Sequence, residues 1–379
     1  MGLARFDFAT AARIAFGAGT FREVGPAAAA LGRKALLVTG SRGGAGAIAF
    51  PTVTFTISHE PTVELVRQGA TFAREQGCDL VIAIGGGSAI DAGKAIAAMI
   101  ANPGDVLDYL EVIGRGQTLE CDPAPFIAVP TTAGTGSEVT RNAVLGSPEH
   151  RVKASLRSAR MLPELAVIDP ELTLTLPPAI TASTGLDALT QLIEPYVSVR
   201  ANTMTDLFCT EGIPIAAGAL PRAFADGADS EARTGMAWAA LLGGLALANA
   251  GLGAVHGFAA PIGGMFPAPH GAICAALLPH ATAINIAALK ERDAHNRALE
   301  RYRRVARLLT GNPHSAAEDG ARWLGELCHR LEIPPLGNYG VREQHIPALV
   351  EKAGCTSSMK GNPIALNRDE LREIVVRAI

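Results

Sequence analysis

The chain has no Cys-x-x-Cys pair, no run of basic residues and no apolar run long enough to cross a bilayer. Its six cysteines stand scattered at 78, 121, 209, 274, 328 and 355. In a chain of 379 residues that usage fits buried thiols in a reducing compartment. A formal charge of −3 without a basic cluster makes nucleic acid and anionic membrane surfaces poor partners. The most apolar stretch, Met236 to Ala248, is thirteen residues rich in Ala and Gly, which suits a buried helix rather than a membrane span. The opening MGLARFDFATAARIAFGAG lacks a continuous apolar core of signal-peptide length, and Phe6 stands where myristoylation needs a hydroxyl. A cytoplasmic protein is expected.

What is present describes a large core: 48% hydrophobic against 18% charged residues, in a length that suits about two domains. The first half alternates between strand-like and helix-like texture. Strands are predicted at 34–39, 52–57, 79–84, 126–129 and 165–168, with helical spacing between them over 61–76 and 89–99. Alternation of this kind implies a parallel sheet covered on both faces. Beyond Pro177-Pro178 the texture becomes Ala- and Leu-rich, with helical segments predicted at 184–197, 204–217, 230–250, 297–309 and 316–331. The fold class expected is therefore an α/β domain with a parallel sheet over 1–180, followed by an all-helical domain over 181–379.

Two glycine-rich loops follow strands. The run Ile84-Gly85-Gly86-Gly87-Ser88 leads straight into a helix, whose free N–H groups and partial positive charge suit a phosphate. It is not GxGxxG, because Ile90 occupies the third glycine's place, and Gly93-Lys94-Ala95 lacks the hydroxyl of a Walker A loop. An ordinary strand-to-helix turn also looks like this. The second loop, Pro130 to Glu138, is packed with Thr, Gly and Ser, and two such loops at the ends of neighbouring strands suit a dinucleotide.

The second half carries candidate metal ligands. Asp187 and Gln191 at i, i+4 share one helix face, though Asp187 also fits the first turn of a helix capped by Thr184. His256 follows a long apolar helix, and His270 lies fourteen residues on in a Gly/Pro-rich stretch. One carboxylate with two imidazoles suits Fe(II) or Zn(II). Taken singly, each histidine is also what an ordinary core contains.

Seven segments carry a resemblance in order along nearly the whole chain: GGGSAIDAGKAIA, PTTAGTGSEVT, LAVIDPELTLTLPP, TASTGLDALT, GAVHGFAAPIGG, PAPHGAICAALLPH and GNPIALNRDEL. They resemble the iron-containing (group III) alcohol dehydrogenases. The resemblance implies hydride transfer between a nicotinamide and a small alcohol, aldehyde or ketone, with a divalent metal beside it. It implies that Gly86, Gly87 and Ser88 hold the pyrophosphate. Thr131, Thr132, Thr135 and Ser137 would line the path from adenosine to nicotinamide, with Lys153 near the ribose. Asp187, His256 and His270 match three metal ligands and form the catalytic centre; the fourth, a histidine in the family, is here Gln191. A second departure is Ala260, where the family often has a proton-relaying histidine.

The resemblance also bears on the nucleotide. Many members carry an acidic residue after the first strand that favours NAD, whereas the segment here is Val38-Thr39-Gly40-Ser41-Arg42. Gly40 and Ser41 would meet the adenosine end, and Ser41 with Arg42 suits a 2′-phosphate. NADP(H) is thus expected to be accepted and slightly favoured, with NAD use the alternative.

Phe258, Phe266 and Met359 are candidate pocket walls, and residues 355–363 a candidate cover whose Lys360 would face an anionic substrate. A homodimer or larger homo-oligomer is expected. Three other readings stand beside this one. A maleylacetate reductase tends to lack the aspartate present here as Asp187. A lyase of the dehydroquinate synthase type would need Lys and Arg near the histidines, and residues 240–280 contain none. A non-catalytic nucleotide binder would account for Gln191 and Ala260 together.

Overall fold

The apolar runs of the first half pair as one parallel sheet. The computed structural model describes residues 5–40, 48–150 and 152–379. Its strands are β1 (Arg13–Phe16), β2 (Ala35–Gly40), β3 (Thr52–Ile57), β4 (Leu80–Gly85), β5 (Phe126–Pro130), β6 (Asn142–Ser147), β7 (Val152–Arg157) and β8 (Leu165–Ile168). Six of them form a sheet in the order β1-β8-β5-β4-β2-β3, every neighbouring pair parallel, while β6 and β7 pair as an antiparallel hairpin. Strands β4, β5 and β8 are buried at every position, which is why they read as unbroken apolar runs; edge strand β3 is only partly covered.

The chain runs from β2 outward to β3, then returns across β2 to β4 and continues to β5. The winding reverses between β2 and β4, whose C-terminal ends are Gly40 and Gly85. In an open parallel sheet the crevice at such a reversal is where ligands bind. Helices α1 (Val24–Leu31), α2 (Val63–Glu75), α3 (Gly87–Ala101) and the short α4 (Val106–Tyr109) complete this unit. Strand β1 and the β6–β7 hairpin were not expected: β1 has four residues, and the hairpin alternates buried with half-buried positions instead of forming a run.

The lysine of Gly93-Lys94 proves to be a structural pin. Its ammonium is fully buried and donates to the carbonyl oxygens of Ser137 (2.7 Å) and Asn142 (2.8 Å) and to the hydroxyls of Ser137 and Thr140 (both 3.1 Å). From the preceding turn of α3, Asp91 accepts from the Ser137 hydroxyl and from the Val144 N–H. The hairpin thus hangs on α3 through polar bonds. Burial pushes Lys94 down to about 8, and burial likewise pushes nearby Glu138 up to about 7.

The helical unit comprises α5 (Pro178–Val197), α6 (Thr203–Ala225), α7 (Ser230–Ala250), α8 (Ala254–Met265), α9 (His270–Arg292), α10 (Arg297–Thr310), α11 (Ala317–Arg330), α12 (Ile346–Gly354) and α13 (Arg368–Ala378). Pro178 is its first helical residue, where a missing N–H costs nothing. Contact grouping assigns Leu176–Ile379 to this unit together with Ala133–Thr135 and the described residues up to Phe8, whose ring meets Phe208 at 5.7 Å. The other unit is Ala9–Thr132 with Gly136–Thr175. Helix α6 runs on through Pro214 and Pro221, beyond the end predicted at 217. Against the expectation that no apolar run could cross a bilayer, helix α9 is long and apolar enough to do so, but its apolar window is 83% buried and serves as core. Much of the Met236–Ala248 stretch of α7 is likewise buried, as expected.

Replacing Lys94 by Met leaves Asp91 and Glu138 without their cation, so unfolding in urea is expected to register a loss of about 3–5 kcal/mol.

Candidate metal centre and nucleotide loops

The candidate ligands come from three helices of the helical unit. Asp187 lies deep inside α5 rather than in a first turn, and the Thr184 hydroxyl donates to the Ile180 carbonyl (2.8 Å) instead of capping. Gln191 follows one turn later, equally buried. His256 follows the apolar helix α7 as expected but is itself helical, and His270, expected in irregular chain, is helical too. His256 sits in the first turn of α8, and His270 is the first residue of α9 after Pro269. The local glycines and prolines had hidden these starts. They are needed for close approach: a Cβ on Gly271 would lie 2.6 Å from the Ser183 carbonyl oxygen, so glycine lets α9 begin against α5.

A carboxylate absent from the sequence reading sets the geometry. Glu194, on α5, accepts from the Val255 N–H through Oε1 and bonds His256 Nδ1 through Oε2, both at 2.7 Å. The first bond satisfies an otherwise free N–H at the start of α8, where the helix dipole also favours a negative charge. The second fixes the imidazole through Nδ1 and turns Nε2 toward Asp187. Asn362 accepts from the Ala254 N–H (3.1 Å) and pairs with Asn285 in the same cap. A Cβ at Gly253 would stand 2.9 Å from Glu194 and 3.0 Å from Asn362, so only glycine fits between these acceptors.

His256 Nε2 lies 3.4 Å and His270 Nε2 3.7 Å from Asp187 Oδ1. Neither contact has hydrogen-bond geometry: both Asp187 oxygens and Gln191 Oε1 are buried without a partner. A buried carboxylate with neither oxygen in a hydrogen bond, facing two imidazoles, is a poor protein interior and a good cation site. The donor set therefore fits a divalent metal. Cys274, one turn after His270, adds its sulfur to the group, and the ligand atoms of Asp187, His256, His270 and Cys274 all lie within 4.8 Å of one another.

Charge follows the same crowding. Burial opposes ionisation of Asp187, but His270 and His256 hold its carboxyl below the usual range. Burial lowers His270, yet Cys274 and Asp187 outweigh it and bring the imidazole up to about 9. His256 is likewise raised well above the usual histidine value, burial being outweighed by Cys274, Asp187 and Glu194. Protons and a metal compete for the same lone pairs.

At the nucleotide loops, Gly86 is the N-cap of α3 and supplies no side-chain cap, and Gly87 and Ser88 open the helix half-exposed. Thr131 donates its N–H to the Gly85 carbonyl (2.9 Å), and Thr132 packs beside Gly86. Gly40 ends β2 next to Gly85, whereas Ser41 and Arg42 lie outside the described residues. Thr135 groups with the helical unit, where neighbouring Gly134 packs against Thr184. Ser137 is buried and engaged by Asp91 and Lys94, and Lys153 of β7 pairs with Glu60 at 2.5 Å. Of the candidate pocket walls, Phe258 is wholly buried core, Phe266 meets His345 edge-on at 5.0 Å, and Met359 lies against Gly257; Lys360 is exposed.

Sequence spacing had a signal for the two unexpected residues. Cys274 stands at i+4 from His270, the same step that picked out Asp187 and Gln191, and Glu194 stands at i+7 from Asp187. The carboxylate passed unnoticed because a glutamate inside an apolar helix has no distinctive motif.

Comparison with known proteins agrees with this geometry. Residues 11–170 match the family model "Iron-containing alcohol dehydrogenase", and residues 181–379 match the C-terminal model of the Fe-containing alcohol dehydrogenase family. A choline dehydrogenase of Bacillus subtilis is 35% identical, over 93% of this chain and 90% of its own. A 1,3-propanediol oxidoreductase crystal structure superposes with a TM-score of 0.91 at 34% identity, covering 99% of this chain and 100% of that one. A sulfoacetaldehyde reductase from Bifidobacterium kashiwanohense, solved in complex with NAD+, superposes with a TM-score of 0.85 at 29% identity, over 99% of both chains.

Two outcomes are expected from titrating metal-free protein. Because His270 holds its proton up to about 9, metal binding at neutral pH displaces protons, and apparent affinity rises with pH toward that value; calorimetry in buffers of different ionisation enthalpy measures the release. Glu194→Gln keeps an acceptor for Val255 but weakens the hold on His256, and metal affinity is expected to fall about 10–100-fold with the helical circular dichroism unchanged.

Proposed function

The chain belongs to the iron-containing alcohol dehydrogenase family and acts on alcohols as an oxidoreductase, and from that premise we propose a nicotinamide-dependent, metal-assisted reaction. Its substrates are a small alcohol and the matching aldehyde or ketone. Asp187, Gln191, His256 and His270 hold a divalent metal, and Gly86, Gly87 and Ser88 bind the pyrophosphate of the nucleotide. The observation that carries the metal reading is the buried Asp187 carboxylate with both oxygens unpartnered. The bare glycine cap of α3, beside the winding reversal of the sheet, supports the nucleotide reading. When bound, nicotinamide exchanges hydride with the carbon bearing the oxygen, and the divalent cation offsets negative charge developing on that oxygen.

The protein's own residues supply orientation and exclusion of water. Glu194 keeps His256 in one tautomer, and the burial of Asp187 and Gln191 lowers the local dielectric, so each charge acts more strongly than it would in water. Ala260 offers no proton-accepting group, so this position relays no proton. With no carboxylate in Val38-Thr39-Gly40-Ser41-Arg42 to repel a 2′-phosphate, NADP(H) is used as well as NAD(H), Ser41 and Arg42 receiving the phosphate. The enzyme works as a cytoplasmic homo-oligomer.

Protein purified without chelators is expected to carry one divalent metal per chain and to lose alcohol oxidation on chelation. Absence of bound metal together with activity indifferent to EDTA would overturn the metal reading. Initial rates of aldehyde reduction with NADH and NADPH decide the nucleotide, and strict use of NADH sinks the 2′-phosphate assignment.

A further inference from the structure

The family's fourth histidine is glutamine here, and a neutral amide oxygen is a weak donor for a late transition ion. The structure places a stronger donor in the same cluster. Cys274 is fully buried on α9, with Sγ 3.6 Å from His270 Nε2 and 3.8 Å from His256 Nε2. We propose that Cys274 binds the metal as a thiolate, so that the chain holds its cation through Asp187, His256, His270 and Cys274, with Gln191 left to bond the substrate oxygen. This rests on reading the cluster as a divalent-cation site, and it replaces Gln191 in the four-ligand set given above by Cys274.

The spacing supports four-coordination. Bonds of about 2.0–2.1 Å to nitrogen or oxygen and about 2.3 Å to sulfur put the nitrogen and oxygen ligands of a tetrahedral ion about 3.3–3.4 Å apart and the sulfur about 3.5–3.6 Å from each. The separations found are 3.4 and 3.7 Å from Asp187 Oδ1 to His256 and His270, and 3.8 and 3.6 Å from the sulfur to the same nitrogens. Two of these edges already match, and the other two close by about 0.2–0.4 Å around an ion. A plain thiol hydrogen-bonded to a histidine explains less. Its one proton serves one imidazole and leaves both Asp187 oxygens and Gln191 Oε1 without a donor.

The consequence is chemical. With aspartate and thiolate both anionic, the bound divalent site is neutral, whereas aspartate alone would leave one positive charge. Sulfur ligation also moves selectivity toward zinc and cobalt and away from manganese and magnesium. Coordination deprotonates the thiol, so binding releases its proton to solvent and no electron is transferred.

Metal-free full-length protein and its Cys274→Ser and Cys274→Ala variants are loaded with Co(II), with bound cobalt quantified beside the absorption spectrum. Wild type is expected to show visible ligand-field bands and an intense near-ultraviolet thiolate-to-cobalt band. The variants are expected to bind more than about 100-fold more weakly and, once saturated, to keep the visible bands and lose the thiolate band. Visible bands without a thiolate band in wild type, or an equal thiolate band in the variants, overturns Cys274 as a ligand while leaving the metal site standing. No cobalt binding by wild type overturns both. X-ray absorption of zinc-loaded wild type needs no variant to fold: one sulfur at about 2.3 Å supports the assignment, and a shell of nitrogen and oxygen alone overturns it.

Discussion

The two bonds of the Glu194 carboxylate are the constraint on which the metal centre depends. One oxygen caps the first turn of α8 and the other holds His256, so the start of a helix and the aim of a ligand are fixed by one side chain on α5. Asp187, two turns earlier on the same helix, faces the imidazole so oriented. A buried carboxylate is tolerable here because each oxygen has a partner and because a helix N-terminus lies against it. Asp187 shows the contrary arrangement: equally buried, both oxygens bare. The contrast separates a carboxylate that shapes the protein from one with no structural bond of its own.

Lys94 plays the corresponding part in the sheet unit. In sequence it stands in a glycine-lysine pair after a glycine-rich turn, but without the hydroxyl that a Walker A loop needs. Its ammonium instead gathers the carbonyls of Ser137 and Asn142 and the hydroxyls of Ser137 and Thr140, and the β6–β7 hairpin is carried by that pin.

Legibility in the sequence followed the strength of the local pattern. Strands β2, β3, β4, β5 and β8 were evident because buried parallel strands leave continuous apolar runs, and the helical half was evident from its Ala- and Leu-rich texture. Short β1 and the half-buried hairpin leave no such run. Helices α8, α9 and α12 escaped because prolines and glycines inside them imitate loops; α8 carries Pro261, α9 Pro279 and α12 Pro347. Asp187, Gln191, His256 and His270 could be named because their segments are distinctive. Glu194 and Cys274 could not, since what singles them out is a position in space reached from separate helices.

The cap on α8 has a bearing on how the molecule folds. Its Ala254 N–H is met by Asn362, 108 residues further along, and its Val255 N–H by Glu194, 61 residues before. No neighbour in sequence can therefore cap this helix start, which gains both acceptors only when distant segments on either side have docked. The aim of His256 is thus set by long-range contacts, whose loop-closure cost places them late in assembly.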